Sequence, residues 1–435
     1  MTHVLAGSRT ARLLNHVFFD GEADEAKISD GLRATRVRLV ADSANVATRA
    51  GQAAVVTTFQ LVARMGIGIE LLVADVPLVT IVQPLRRPTL AAALLELGSD
   101  LIPDTIASTE AVHSHVTLAF GDTTSATDAI VVEADELSCR LTISGSREPT
   151  RISSDCPLGA MAAAAAAAAI ALQGALPQIE SATGRRMTTR PRPPAGPPVE
   201  IDLRVLFPDI EVGAHRFGCI DAISGGAVTN SLLHTLLWLP QVTAGVRVIE
   251  REPADLTNLN RYTQLRASDD TRLKIDVLAE GTTNDVTITG VEALFTAETR
   301  EAILPLAEHV MVGVDRIEAR WWVQQEWPAH LYIGATDNES AVLTTHQPSQ
   351  PCAGCAHPDP LPPLDPDDFI PTISVVSFWG GFLQALALLT PPGLARRLTV
   401  FPFALGGEWW FHTSELPEGA RCPVGCDASR GAEAA

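Results

Sequence analysis

Lysine is almost missing from this chain: of 435 residues, only Lys27 and Lys274 carry an ε-ammonium. Acidic residues outnumber basic ones 51 to 32, which gives a formal net charge of -19. That sign argues against a non-specific nucleic-acid binder and against docking on an anionic membrane, both of which need a basic face. No apolar core follows the N-terminus between Met1 and Arg12, so no secretory signal is expected. Long Leu- and Ile-rich runs are missing as well. The one extended uncharged stretch, Pro157 to Gln178, is dominated by alanine from Ala162 to Ala169, and it reads as a buried helix and not a membrane span. The seven cysteines are an odd number, and four of them sit in two close pairs. A metal site in a reducing cytoplasm fits that pattern better than a disulfide framework does.

The hydrophobic content of 46% is ample for large buried cores, and the length suggests two domains. The Ala- and Arg-rich composition fits a GC-rich bacterial genome. A break falls at Gly184 to Val199, where five prolines rule out regular structure. The expected division is a first domain over 1–183, a linker over 184–199 and a second domain over 200–435. In the first, Ser8 to Phe19 and Asn45 to Met65 read as helices. Arg36 to Ala41, Ile69 to Val73, Val79 to Val82, Val116 to Phe120, Ile130 to Glu133 and Leu141 to Ser144 read as strands. The second repeats the plan. Phe217 to Ala222 is a strand, Ala227 to Leu239 a helix, Val246 to Glu250 the next strand, and Val310 to Val314 a strand ending at Asp315. The fold class is therefore α/β, with two similar Rossmann-like halves forming an internal pseudo-dimer.

The turn after the first strand of the second half reads Ala222-Ile-Ser224-Gly225-Gly226-Ala227. A dinucleotide fingerprint places glycine where Ala222, Ser224 and Ala227 stand. All three are small, so backbone could still approach a phosphate at the helix N-terminus. A plain tight turn would look the same. The next strand ends at Glu250, where an acidic residue can accept hydrogen bonds from ribose hydroxyls. Then come Glu252, Thr257-Asn258-Leu259-Asn260-Arg261 and, thirteen positions later, Lys274.

This run resembles the ThiF family, which includes ubiquitin-activating enzymes and the adenylating enzymes of molybdopterin and thiamine synthesis. Their pattern is Asp-x-Asp, Ser-Asn-Leu-x-Arg and a following Lys, then a strand-end Asp with Arg five residues on, matched here by Asp315 and Arg320. The resemblance implies two adenylation domains, with ATP and Mg²⁺ at the second. Ser224, Gly225 and Gly226 would line the phosphates, Glu250 with Glu252 would hold the ribose, and Asn258 would orient phosphate or metal. Arg261 and Lys274 would neutralise the triphosphate, and Asp315 would hold Mg²⁺. Arg9-Thr-Ala-Arg12 before Phe19-Asp20-Gly21 matches the family's opening helix, so Arg12, or Arg9, would reach the ATP site from the first half. That half has no glycine at its own turn, Ala41-Asp42-Ser-Ala-Asn45, and reads as an inactive partner.

Cys352-Ala-Gly-Cys355 and Cys422-Pro-Val-Gly-Cys426 have the spacing of a structural Zn²⁺ site, with a knuckle like the family's. His357 is an alternative ligand. Trp321, Trp322 and Trp327 read as core or interface residues. Cys139, Cys156 and Cys219 read as buried core thiols, with Cys156 the one worth testing as a nucleophile. No room remains for an inserted cysteine domain. The expected reaction is adenylation of the C-terminal carboxylate of a ubiquitin-like protein without a stable enzyme thioester, the acyl group passing to a conjugating enzyme or another acceptor. A precursor peptide as substrate, a scaffold without turnover and a dehydrogenase are the alternatives, and a homodimer is open.

Overall fold

The computed structural model describes residues 2–102, 113–121, 128–144, 152, 154–188, 198–348, 350–360, 370–393, 395–405, 407, 410–416 and 422–426. Residues 189–197 of the expected linker lie outside the described residues.

The first unit runs α1 (Thr2–Phe19), α2 (Glu25–Ala34), β1 (Arg36–Ala41), α3 (Ser43–Val46), α4 (Arg49–Arg64), β2 (Gly68–Val73), α5 (Leu90–Leu101), β3 (Val116–Phe120), β4 (Ile130–Ala134), β5 (Ser138–Ile143) and α6 (Leu158–Thr183). β6 (Val199–Asp202) closes the first unit, and the second runs β7 (His215–Ile223), α7 (Ala227–Trp238), β8 (Val242–Ile249), α8 (Lys274–Ala279), β9 (Val286–Val291), α9 (Arg300–Ile303), β10 (His309–Val312) and α10 (Ile317–Gln324). It ends with β11 (His330–Thr336), β12 (Ala341–His346), α11 (Ala353–Ala356), α12 (Ser374–Leu388), β13 (Arg396–Val400) and β14 (Phe411–Glu415).

Among the described residues these strands form a six-stranded sheet, β2-β1-β3-β4-β5-β6, and an eight-stranded sheet, β14-β13-β12-β11-β10-β7-β8-β9. In the first, β2, β1, β3 and β4 are parallel; in the second, β9, β8, β7, β10 and β11 are. The two units share one plan, and each is a parallel-dominated α/β layer. β6 pairs antiparallel with β5, so the chain completes the first sheet before it builds the second.

Helix α6 is long and apolar enough to cross a membrane, but 83% of its apolar window is buried inside the protein. Its alanines let neighbours come close. A Cβ on Gly31 of α2 would lie 2.6 Å from Ile179 Cα, so only glycine fits that crossing. The units meet through α4, α7 and α12. The Ser374 hydroxyl donates to Leu61 O at 2.7 Å, and Thr57 Oγ1 lies 2.9 Å from His234 Nε2. Arg64, 1% exposed, donates to Leu259 O, Thr263 O and Leu265 O of the second unit at 3.0, 3.1 and 2.7 Å.

The expected helix over 45–65 is broken at Thr48, which is extended and caps α4 by accepting from the Gly51 N–H at 3.0 Å. The expected strand Val79–Val82 is irregular. Pro77, Pro84 and Pro88 flank it and remove ladder donors, and Val79 and Ile81 are exposed.

Candidate functional site

The turn between β7 and α7 is built from small residues under constraint. Ser224 has φ of 89°, a conformation glycine adopts freely and serine does not, and its Oγ accepts from the Gly226 N–H at 3.0 Å. Gly226 is the N-cap of α7 and supplies no side-chain cap, so the first N–H groups of that helix have no side-chain acceptor. A Cβ on Gly225 would sit 3.2 Å from Glu250 Cγ and 3.3 Å from Lys274 Cβ, so its absence lets both side chains close on the turn. Asn230, fully buried one turn into α7, donates to Gly225 O at 3.0 Å and Gly226 O at 2.9 Å, and accepts from the Gln264 N–H at 3.2 Å. It ties the turn to the loop after β8. Sequence reasoning missed it, because an asparagine inside an apolar helix carries no motif.

Glu250 follows β8 and is 3% exposed. Its Oε2 accepts from the Gly225 N–H at 3.1 Å, and its Oε1 from the N–H groups of Arg251 and Glu252 at 2.8 and 2.9 Å. The Lys274 ammonium lies 3.7 Å from Glu250 and 2.8 Å from Glu252. Burial alone would lower the Lys274 pKa, but Tyr262, Glu250 and Glu252 outweigh it and hold it above the ordinary value. Tyr262 is a second residue the motifs did not show. Its ring centroid is 5.4 Å from the Arg261 guanidinium and 5.8 Å from the Lys274 ammonium, so one aromatic ring gathers both cations.

Arg261 donates to Asn260 Oδ1 at 2.7 Å, Asn258 Oδ1 at 3.2 Å and Thr257 O at 3.2 Å. Asn260, fully buried, also donates to Thr372 O at 2.9 Å and anchors the loop to the segment before α12. Burial pulls the Arg261 pKa down, with Tyr262, Arg9, Asp255 and Asp315 acting on it in turn. Asp315 is exposed just past β10 and close enough for its charge to act on Arg261 and Arg320. Arg320 does not enter the cluster. It donates to Val314 O at 2.9 Å and lies 3.2 Å from His357 Nε2, so it fixes the strand end that presents Asp315.

Of the two α1 arginines, Arg9 is the one whose charge is felt here. Asp255 is held below the usual carboxylate range by its bonds to Thr257, and also by Arg9 and Lys274. Arg12 is half-buried one turn further along α1. The structure thus gathers Ser224, Gly225, Gly226, Glu250, Glu252, Asn258, Arg261 and Lys274 around one turn, with Asp315 and Arg9 at its edge. This arrangement offers uncapped amides, the buried Lys274 and the half-buried Arg261 to an anion, beside carboxylates that can accept from hydroxyls or hold a hard cation.

The four cysteines also converge. Their sulfur atoms lie within 4.8 Å of one another; Cys352 is 3.3 Å from Cys422 and 3.8 Å from Cys355, and Cys355 is 3.2 Å from Cys426. Tetrahedral zinc with bonds near 2.3 Å separates its sulfurs by about 3.8 Å, so the set fits Zn²⁺. Gly354 makes the fit possible, since a Cβ there would meet Cys422 Sγ at 2.7 Å. Burial pushes the Cys352 thiol up, so four thiolates together need a cation among them. His357 is not in the set and faces Arg320. Trp327 is 39% exposed, which places it outside the core and leaves the interface as its expected role.

Cys139 and Cys156 are buried, and burial raises both thiols; neither is an activated nucleophile. Cys219 is exposed, which corrects its assignment to the core. A register shift in β7 between Arg216 and Cys219 breaks the alternation that would have turned it inward.

Residues 36–190 match the family described as the BilD N-terminal domain. No curated protein matches the chain. Among solved structures, one of Escherichia coli MccB is similar at 16% identity and a TM-score of 0.40, covering 48% of this chain and 65% of MccB. A structure described as the microcin C7 biosynthetic enzyme MccB with N-formylated MccA gives 16% identity and a TM-score of 0.40 over 47% of this chain and 67% of that one. PaaA gives 9% identity and a TM-score of 0.37 over 46% of this chain and 73% of PaaA. The chain thus spans about two thirds of the MccB structures it matches.

Proposed function

We propose that this chain uses MgATP to adenylate the C-terminal carboxylate of a ubiquitin-like protein. A carboxylate oxygen attacks the α-phosphorus, the bond from that phosphorus to the bridging oxygen breaks, and the acyl-adenylate and pyrophosphate result. The observation that carries this reading is the closure of Glu250, Lys274 and Arg261 on the turn before α7, around Tyr262. Glu250 Oε1 already accepts two amide bonds, whereas Oε2 accepts one and keeps a lone pair for a ribose hydroxyl. Lys274 and Arg261 would face the triphosphate and the charge that grows on it during attack. Asn258 holds Arg261 in that position. Asp315, exposed beside Arg261, is the carboxylate available to Mg²⁺. Arg9 would add a cation from the other unit.

The step needs positioning and charge and no side-chain nucleophile. The acyl group would pass to an external thiol or amine, such as a conjugating enzyme, and the zinc knuckle would be structural. A reduced four-cysteine cluster fits a cytoplasmic location. A second reading keeps the chemistry and replaces the partner with a precursor peptide. MccB, described as a microcin C7 biosynthetic enzyme and solved both with ATP and with N-formylated MccA, motivates it.

ATP–pyrophosphate exchange tests both readings. It should depend on an added ubiquitin-like protein with a free C-terminal glycine, and Lys274→Ala or Asp315→Ala should abolish it. Exchange that needs a short peptide instead selects the second reading. Exchange unchanged in both variants rejects the site.

A further inference from the structure

One cluster of ligating side chains is not used by the adenylation site and lies at the other end of the second sheet. Strands β10 and β11 begin side by side, with His309 paired to His330, so both imidazoles project from one face. Their ring centroids are 4.9 Å apart and their planes differ by 22°. Glu308 stands just before His309, and its carboxylate lies 3.8 Å from His330 Nε2. One ligand atom from each of Glu308, His309 and His330 falls within 4.8 Å of the others. The nucleotide turn follows the C-terminal ends of β7 and β8, whereas this cluster marks the N-terminal ends of β10 and β11.

Two further observations suggest that the cluster lacks something. The Nδ1 atoms of both histidines are buried and have no hydrogen-bond partner among the described residues. A buried ring nitrogen left unsatisfied costs about 1–3 kcal/mol, and each of the two rings has one. The surroundings are also built. Phe217 packs edge-on against His309 with ring centroids 5.3 Å apart, and Tyr332 lies 6.2 Å from the same ring. His330 and Tyr332 line a cavity of about 440 Å³, together with His346 and Arg396. A ligand at the cluster would therefore have room for a further group beside it. Burial keeps both imidazoles below their ordinary pKa, hence neutral near pH 7, which is the ligating form.

We propose that Glu308, His309 and His330 form a site for a divalent transition metal, separate from the four-cysteine cluster and from the nucleotide turn. Two imidazoles and one carboxylate suit Zn²⁺, Fe²⁺, Co²⁺ or Ni²⁺ better than Mg²⁺ or Ca²⁺, which favour all-oxygen shells. Bonds of 2.0–2.2 Å set tetrahedral ligand atoms about 3.4 Å apart, so the site closes by a shift of roughly an ångström. The Glu308 side chain is 69% exposed and free to make it.

The test uses the full chain and Zn²⁺ or Co²⁺ alone. After equilibration with Zn²⁺ and removal of excess, elemental analysis should find one more equivalent in the wild type than in the double variant His309→Gln/His330→Gln. Co²⁺ at this site should give ligand-field bands without thiolate charge-transfer, and those bands should vanish in the double variant while any thiolate bands persist. Equal stoichiometry in the two proteins overturns the proposal. So does loss of the extra equivalent with Cys352→Ser alone. Glu308→Ala, at an exposed side chain, guards against a misfolded double variant. It should weaken binding at least tenfold, and unchanged affinity rejects the site.

Discussion

The two units place a turn after the central strand of the same kind of sheet, yet the turns do opposite things. After β1, Asp42 accepts from the Asn45 N–H at 2.9 Å and from the Asn45 amide at 3.0 Å, and Thr48 caps the helix that follows. Gly121 at the end of β3 leaves a space, and Asn45 fills it; a Cβ on Gly121 would lie 1.8 Å from Asn45 Nδ2. The turn is satisfied by its own side chains, and its carboxylate would repel a phosphate. After β7, Gly225 and Gly226 contribute no side chain, the helix is uncapped, and Lys274 and Arg261 stand beside it. A shared topology therefore decides where an anion site could form, and a few side chains decide whether it does.

The largest effect is expected at Arg64, which joins the two units. Its guanidinium ends on three carbonyls of the loop carrying Asn258, Asn260 and Arg261. Arg64→Met keeps the length and strands those oxygens. Each bond from a charged donor contributes about 1.5–3 kcal/mol, so a loss of at least 3 kcal/mol is expected from the denaturant midpoint. Nucleotide affinity should fall with it, because the loop loses its support. A variant as stable as wild type would mean that the seam is slack and that the units act independently.

Next comes Arg9. If the first unit serves the second through this side chain, Arg9→Ala should lower ATP–pyrophosphate exchange by roughly 100-fold, the scale of one lost electrostatic contact to developing charge. Arg12→Ala should cost under tenfold. The reverse order would move the contact one turn along α1 and contradict the electrostatics around Asp255.

These residues show where the sequence was legible. The strand-turn-helix, Glu250 and the run to Lys274 are local or evenly spaced, and the structure brings them together. Tyr262, Asn230 and Arg64 were not legible, because each acts on residues that only the tertiary fold brings near. An arginine ending a helix reads as a partner for the helix dipole, and nothing in its neighbours reveals that Arg64 points into another unit. Val79 to Val82 failed for a different reason. The run is apolar enough for a strand, but the prolines around it prevent a ladder. Cys219 needed the register of β7, which no single-strand pattern contains.

A smaller, pH-dependent effect tests the same seam. His234 is fully buried against Thr57, and burial, then the nearby Arg64 charge, lowers its pKa from 6.5 to about 3. Burial lowers His346 to about 4. Below pH 6.5 the unfolded chain takes up protons that the folded chain refuses. Stability should therefore fall as pH drops from 6.5 towards those values, by roughly 1.4 kcal/mol per pH unit for each histidine. His234→Gln should flatten the slope by about one proton in chemical denaturation run at several pH values, while His330→Gln, at a more exposed ring, should flatten it less.

The smallest effect is expected where the first unit closes its own turn. Asp42→Ala removes the acceptor for the Asn45 N–H, and the loss of such a cap costs about 1 kcal/mol. It also removes the carboxylate that keeps an anion away. If that carboxylate were the only obstacle, the variant would bind a second equivalent of ATP in calorimetry. No second equivalent is expected, because Asn45 still fills the space beside Gly121 and no lysine faces the turn; the chain's other one, Lys27, is in α2. A second equivalent in Asp42→Ala would show that the two turns differ by a single charge and not by their whole donor sets.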